Sequence, residues 1–384
     1  QMMRKLEERG VPRSRMLYLN FDDERLMELD ISKMRLITDV YFRRFPDSRR
    51  HTVHLFFDEI QMIPGWERYV RRLLDTEDAE ICLTGSSAQM LSREISTSMR
   101  GRAMATTLYP FSFAEALVCE GADIPADVNS VGKASRSMLE NRVLSYLQAG
   151  GFPETQKLSR FERVRVLQDY VNAVIFRDIV ERHGVENLPV LRYMVHRLLG
   201  SPARLMSVHK LFNDVKSQGY RCAKGTLYEY LEYLHDSFLL FPVPIHTTSA
   251  RVRTSNPQKM CSVDPGLCAA FLTAGPEHDG SLLELAVHTE LRRRDCVVEY
   301  VVTDQGYEVD FLATGPDGGV ELIQVCQSMA ERNARERELR ALGDALKTVR
   351  NATAMVITLA DEETTSVDGH PVRVLPAWKW LLSW

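Results

Sequence analysis

The chain has 384 residues, 45% of them hydrophobic and 26% charged, with a formal net charge of −4. That length allows two or three domains with cores of their own. The near-neutral balance excludes a general pull toward nucleic acid, so any such contact must come from a local patch. The seven cysteines are odd in number and form no CxxC pair, which fits reduced thiols in a cytoplasmic protein. No apolar run reaches the roughly 18 to 20 residues that a membrane span needs. No signal peptide is visible either.

In chain order, QMMRKLEER at residues 1–9 reads as helix stopped by Gly10. The chain is therefore expected to begin inside an element, as a fragment. Residues 1–117 alternate short apolar runs with helical stretches, the pattern of a parallel α/β sheet. Strands are expected at 16–21, 53–57, 81–84 and 105–108, with a helix over 66–75 opened by Pro64-Gly65. Strands apolar throughout predict a sheet covered on both faces. From about 137 to 200 the pattern turns helical, with Val164, Leu167, Val171, Val174 and Ile175 at helical spacing. A Gly-Gly-Phe-Pro turn at 150–153 interrupts this region. Two helices at 208–218 and 226–236 and a strand at 238–244 form a layout that resembles a winged helix. A helix at 282–294 and strands at 297–302, 308–313, 320–326 and 354–359 follow.

Phe56-Phe57-Asp58-Glu59 puts two acids where an apolar strand emerges. P-loop ATPases use this pairing: the first acid holds magnesium through its water shell, and the second orients or deprotonates the attacking water. The position suits it, because open α/β sheets bind ligands at the carboxyl ends of their strands. A solvated strand end reads the same way. Leu83-Thr84-Gly85-Ser86-Ser87 ends the next strand in small hydroxyls, and Ser86, then Thr84, are candidates to sense a γ-phosphate. The plain alternative is a Gly-Ser turn. Arg100 and Arg102 stand where an arginine would reach a phosphate in cis or across a subunit contact. A surface arginine covering the sheet edge fits as well.

The series YLNFDD (18–23), FFDEIQMIPGWERYVRRLLD (56–75), LTGSS (83–87), RGRAMATTLYPFSFAEAL (100–117), GGFPE (150–154) and FRDIVER (176–182) resembles one bacterial and archaeal family of AAA+ ATPases with a C-terminal nuclease-like domain. The resemblance implies ATP and Mg2+ as cofactors and a GxxxxGKS/T loop ahead of the equivalent of Gln1. It implies a P-loop parallel sheet lacking its first strand, a helical lid, a winged helix and an α/β restriction-endonuclease-like domain. The expected boundaries are 1–136, 137–200, 201–272 and 273–384. Pro153, in the turn at 150–153, resembles the Gly-x-Pro turn that touches adenine in related switch ATPases; a helix-breaking turn is the structural alternative.

In the winged-helix segment, Glu229, Glu232 and Asp236 on the expected recognition helix would be repelled by a polyanion. Arg251, Arg253 and Lys259 are the candidates to touch DNA backbone phosphates. Tyr228, Tyr230 and Tyr233 are expected to pack rather than stack on bases. Farther on, Glu284 on a helix, Asp310 on a strand and Gln324 to Cys326 on the next resemble the PD-(D/E)xK nucleases, whose acids hold a metal beside a lysine. Gln324 stands where an acid is expected and Cys326 replaces the lysine, so Glu284 and Asp310 are expected to hold metal weakly at a defunct site. The expectation is an ATP-hydrolysing switch protein with an unidentified protein partner. An ATP-gated metal-dependent nuclease and a non-enzymatic DNA-binding regulator are the alternatives.

Overall fold

The computed structural model describes residues 2–26, 29–85, 99, 101–273 and 275–383. Contacts divide the chain into two units, Gln1–Thr106 and Thr107–Trp384.

The first unit runs α1 (Met2–Glu8), β1 (Met16–Asn20), α2 (Ile31–Arg44), β2 (Val53–Asp58), α3 (Trp66–Thr76) and β3 (Ala79–Leu83). The strands are parallel in the order β1-β2-β3. Asp30 starts α2 by accepting the amides of Ser32 and Lys33, both at 2.9 Å. Trp66, Tyr69, Val70 and Leu73 recur on one face of α3 and are buried with Leu55 and Phe57. Each such burial contributes roughly 1.5–3 kcal/mol.

Two expectations are corrected here. Among the described residues the cover of the sheet is uneven: Leu55 and Phe57 are buried, whereas on the opposite face Met16 and His54 are buried but Tyr18 is 50% exposed. Parallel crossovers between sequential neighbours keep one hand, so α2 and α3 fall on the same side of the sheet. Nor do residues 105–108 form a strand. Among the described residues β3 pairs only with β2, and the four residues Ala105-Thr106-Thr107-Leu108 without a ladder partner do not hold an extended pairing by themselves.

The second unit opens with helices α4 (Phe113–Cys119), α5 (Lys133–Ala149), α6 (Arg160–Ala173) and α7 (Leu188–Leu199). Ser112 and Ser159 start α4 and α6 with reciprocal caps from Glu115 and Glu162. After α6 the helix widens to π geometry over Val174–Glu181. Next come β4 (Leu205–Met206), α8 (Val208–Ser217), α9 (Lys224–Asp236), β5 (Leu240–Val243), α10 (Ala250–Ser255) and β6 (Gln258–Ser262). Their strands form an antiparallel sheet ordered β4-β6-β5. Helices α11 (Pro265–Ala269) and α12 (Asp279–Arg293) lead into β7 (Val297–Val302), β8 (Glu308–Thr314) and β9 (Val320–Val325). Then follow α13 (Arg332–Thr348), β10 (Ala352–Thr358), β11 (Glu363–Val367), β12 (His370–Pro376) and α14 (Ala377–Leu382). The resulting six-stranded mixed sheet is ordered β11-β12-β10-β9-β8-β7. One apolar core joins Phe113, Leu191, Leu234, Leu285 and Leu381, so the stretches expected as lid, small module and C-terminal domain share an interior.

That interior is fastened where α5 ends. The Asp264 carboxylate caps α11 through Leu267 N–H at 3.3 Å and accepts Gly151 N–H at 2.6 Å. Burial pushes this carboxyl up to about 6, against the amides of Gly151, Gly266 and Leu267 that favour its charge. An acid whose pKa is raised by folding is held protonated by the fold, so stability falls as pH rises from about 4 through about 6. The expected loss is about 2 to 3 kcal/mol between pH 4 and 7, relative to Asp264→Asn, which cannot ionise. Denaturant melts of both proteins at the two pH values check this; a pH-independent difference between them would contradict it.

Candidate functional site

β2 carries Asp58 to the carboxyl edge of the three-stranded sheet, level with Asn20 of β1. Thr84, just past the end of β3, donates its hydroxyl to Asp58 Oδ1, and Tyr18 donates its phenol to Oδ2 at 2.8 Å. Two donors from two neighbouring strands thus hold one carboxylate in a set orientation. The bond to Asp58 raises the Tyr18 phenol above its ordinary pKa. Burial first, and then the Asp58 charge, also raise the Cys82 thiol.

Glu59 follows in a left-handed backbone conformation, φ 53° and ψ 43°. A non-glycine residue there costs of order 1–3 kcal/mol. Surrounding bonds hold it: Ile60 N–H donates to Thr84 O at 3.2 Å and Met62 N–H to Glu59 O at 3.1 Å. The turn ends the strand abruptly and presents the Glu59 side chain to Gln61, whose amide donates to its carboxylate. A Cβ on Gly85 would come within 2.6 Å of Gln61 Oε1, so the glycine leaves room for that contact.

The structure therefore brings together Asp58, Glu59 and Thr84 as the sequence suggested, and adds Tyr18. The signal for Tyr18 was its place two residues before Asn20, on the same strand face as the residue level with Asp58. Ser86 and Arg100 lie outside the described residues. Arg102 is not brought to Asp58. It donates to Asp75 Oδ1 at 2.8 Å, in the last turn of α3. That helix returns to the edge where Val53 pairs with Ala79, five residues back along β2 from Asp58. At about 3.3 Å per residue the two edges are roughly 16 Å apart.

Pro153 opens a short 3-10 turn in the second unit and is exposed. The glycines before it have a packing role. A Cβ on Gly151 would meet Phe111 O at 2.1 Å, and one on Gly150 would meet Asp264 Oδ1 at 1.9 Å.

Farther along the second unit, Glu284 on α12 and Asp310 on β8 face each other, and a lysine stands between them. Lys259 Nζ on β6 lies 2.6 Å from Glu284 Oε1, 2.9 Å from Asp310 Oδ1 and 3.0 Å from Glu308 Oε1. Lys259 is 1% exposed, which corrects its assignment as a DNA phosphate contact. Burial opposes its charge, but the carboxylates of Asp310, Glu284 and Glu308 outweigh that and hold the ammonium well above the ordinary lysine pKa. Burial and the neighbouring Asp310 charge raise Glu284. Gln324 is a brace: it accepts Asp310 N–H at 2.7 Å and donates to Glu308 O at 3.3 Å and to the Glu338 carboxylate. The Cys326 thiol is pushed up to about 12, chiefly by burial, and stays protonated. Glu308, overlooked in the sequence, shares the Asp310 face by strand alternation.

The other basic candidates diverge. Arg253 is bound to the Glu299 carboxylate, which also meets His246 Nδ1 at 2.7 Å, whereas Arg251 is exposed. Helix α9 exposes Tyr228, Glu229 and Glu232, while Tyr230 is buried and Tyr233 stacks on His183 at 3.8 Å. Among the described residues no group of three or more His, Cys, Asp and Glu is placed to hold a metal ion. No helix among them is long and apolar enough to cross a membrane.

Residues 1–117 match the family model of an AAA domain, and residues 140–278 match a domain of unknown function, DUF8612. An uncharacterised protein of Haemophilus influenzae is 26% identical over 380 residues, 98% of this chain and 88% of that protein. Among solved structures the chain is similar to the Walker-type ATPase PABY2304 of Pyrococcus abyssi, with a TM-score of 0.35 and 14% identity over 70% of this chain and 75% of that one. The uncharacterised protein MJ1544 of Methanocaldococcus jannaschii is 33% identical over 379 residues, 96% of this chain and 82% of that protein. With 33% identity along nearly its whole length, the chain belongs to the family of MJ1544, and its first 117 residues match the AAA-domain model.

Proposed function

We propose that this chain belongs to an ATP-hydrolysing AAA protein that works as a nucleotide-driven switch. The observation that carries the reading is the Asp58 carboxylate, held by the Tyr18 and Thr84 hydroxyls at a strand's carboxyl edge with Glu59 beside it. That donor set suits Mg2+: a fixed carboxylate at a sheet edge is the kind of oxygen ligand that binds the ion directly or through its waters. Bound there, the ion would neutralise phosphate charge during transfer. Asp58 orients, Glu59 accepts a proton from or aligns the attacking water, and Thr84 reports occupancy through its bond to Asp58. The phosphate-binding loop that the family resemblance puts ahead of Gln1 is part of this reading, as are Ser86 as sensor and Pro153 at the adenine.

The rest of the chain is read as the responding part. The order helix, strand, two helices, strand, short helix, strand from α7 to β6, with sheet order β4-β6-β5, supports a winged-helix module whose wing carries the added turn of α10. The acidic outward face of α9 and the engaged Arg253 speak against groove reading and favour a structural role. The mixed six-stranded sheet with Glu284 and Asp310 facing each other supports a nuclease-like fold.

The test uses the natural full-length chain. Asp58→Asn keeps the size but removes the charge and one of the two acceptor oxygens, and is expected to abolish Mg2+-dependent hydrolysis of ATP in a phosphate-release assay. Wild-type turnover by this variant would remove the proposal.

A further inference from the structure

The acids that a metal nuclease would use are present in the second unit, yet they do not fit a metal. We infer that Lys259 is a protein-borne cation standing where the divalent ion of a nuclease site would sit, so that the cluster is a closed latch joining β6 to β8 and α12. The distances carry the point. Nζ lies 2.6 Å from a Glu284 oxygen and 2.9 Å from an Asp310 oxygen. A magnesium ion bonded to the same two oxygens at about 2.1 Å would overlap the ammonium and meet its charge unscreened. The lysine is also fixed: its ammonium lies 5.3 Å from the centre of the Phe311 ring, and its side chain is 2% exposed.

The neighbours serve the lysine, not a metal. Asp310 spends its second oxygen on Val325 N–H at 2.9 Å. Gln324, in place of an acid, braces the hairpin from beneath. His288, one helical turn after Glu284, lies between Phe241 and Phe311 and is driven to about 3, chiefly by burial, so it is neutral and supplies no competing charge. The same seam is stitched again at the sheet edge, where Tyr300 of β7 pairs through its backbone with Pro244 and His246, the segment after β5. Two independent ties thus bind the small sheet to the large one. The module from β4 to β6 therefore moves with the nuclease-like sheet as one body.

The probe is Mn2+ without nucleotide, measured by electron paramagnetic resonance and by thermal melting on the full chain. Four proteins are compared: wild type, Asp310→Asn, Lys259→Met and the double variant. Asp310→Asn is expected to leave Mn2+ binding by the wild type unchanged, because the cluster holds none. Lys259→Met is expected to gain a Mn2+ site that Asp310→Asn cancels, and to melt several degrees higher with Mn2+ than without. If Lys259→Met fails to fold, Lys259→Gln, which keeps a neutral donor, takes its place. Loss of Mn2+ from the wild type on Asp310→Asn would overturn the inference, whatever the other variants do. So would a folded lysine variant that gains no Mn2+ site.

Discussion

Glu59→Gln is expected to lower ATP hydrolysis by the full-length chain by about 10²- to 10⁴-fold, the usual contribution of a positioned proton acceptor. Nucleotide affinity is expected to change little, because the amide keeps the size of the side chain and the change adds no charge near a phosphate. The backbone argues for a clean result. Glu59 sits at φ 53° through bonds made by main-chain atoms, Ile60 N–H to Thr84 O and Met62 N–H to Glu59 O, and a glutamine leaves these in place. The side chain meets the Gln61 amide, a neutral partner that a new amide can still engage. Single-turnover rates and equilibrium binding of a labelled nucleotide, measured on the same preparation, separate the two effects. If hydrolysis and binding fall together, Glu59 holds the loop; if neither changes, the water is directed by another group.

Much of the first unit was legible because its signals are local. The run ending at Asp58 is apolar and bounded, and α3 repeats Trp66, Tyr69, Val70 and Leu73 at helical spacing. The hairpin of β8 and β9 was legible too, and its register sets Phe311 opposite Ile323, with Asp310 beside Gln324. What escaped was long-range or of mixed character. β6 reads Gln258-Lys259-Met260-Cys261-Ser262, and a lysine in a short polar-flanked strand looks like surface. Its burial rests on carboxylates 25, 49 and 51 residues away, of which Glu284 and Asp310 read in sequence as metal candidates and Glu308 as an ordinary exposed acid, none as a partner for a lysine. Paired charge is what permits a buried lysine, and pairing over such separations has no sequence period to betray it. The segment at 105–108 erred the other way, since composition marks strand propensity but not the presence of a partner strand. The hairpin of β11 and β12, at the edge of its sheet, went unseen because Thr364, Thr365 and Arg373 are not core residues.

Gly151→Ala is expected to be the most damaging single methyl in the second unit. The new Cβ would lie 2.1 Å from Phe111 O and 2.7 Å from Phe111 N. Both are backbone atoms, so no rotamer change relieves the overlap. The two segments are also bonded to each other: Phe111 N–H donates to Gly151 O at 2.7 Å, and Tyr146 donates its hydroxyl to Phe111 O at 2.9 Å. Pushing them apart would pull Gly151 N–H from the buried Asp264 carboxylate, leaving both underbonded. Overpacking costs about 1–3 kcal/mol, and an unsatisfied buried polar group about 1–3 more. The sum is about 2 to 6 kcal/mol, a drop in melting temperature on the order of 10 °C for a unit of this size. Gly219→Ala is the comparison: its φ is +82° and nothing lies within 4 Å of the added Cβ. It carries the backbone penalty alone, about 1 kcal/mol. Equal melting temperatures for the two variants would mean that Phe111 and the turn at 150–153 are not held as closely as these distances require, and the packing reason for that glycine would fail.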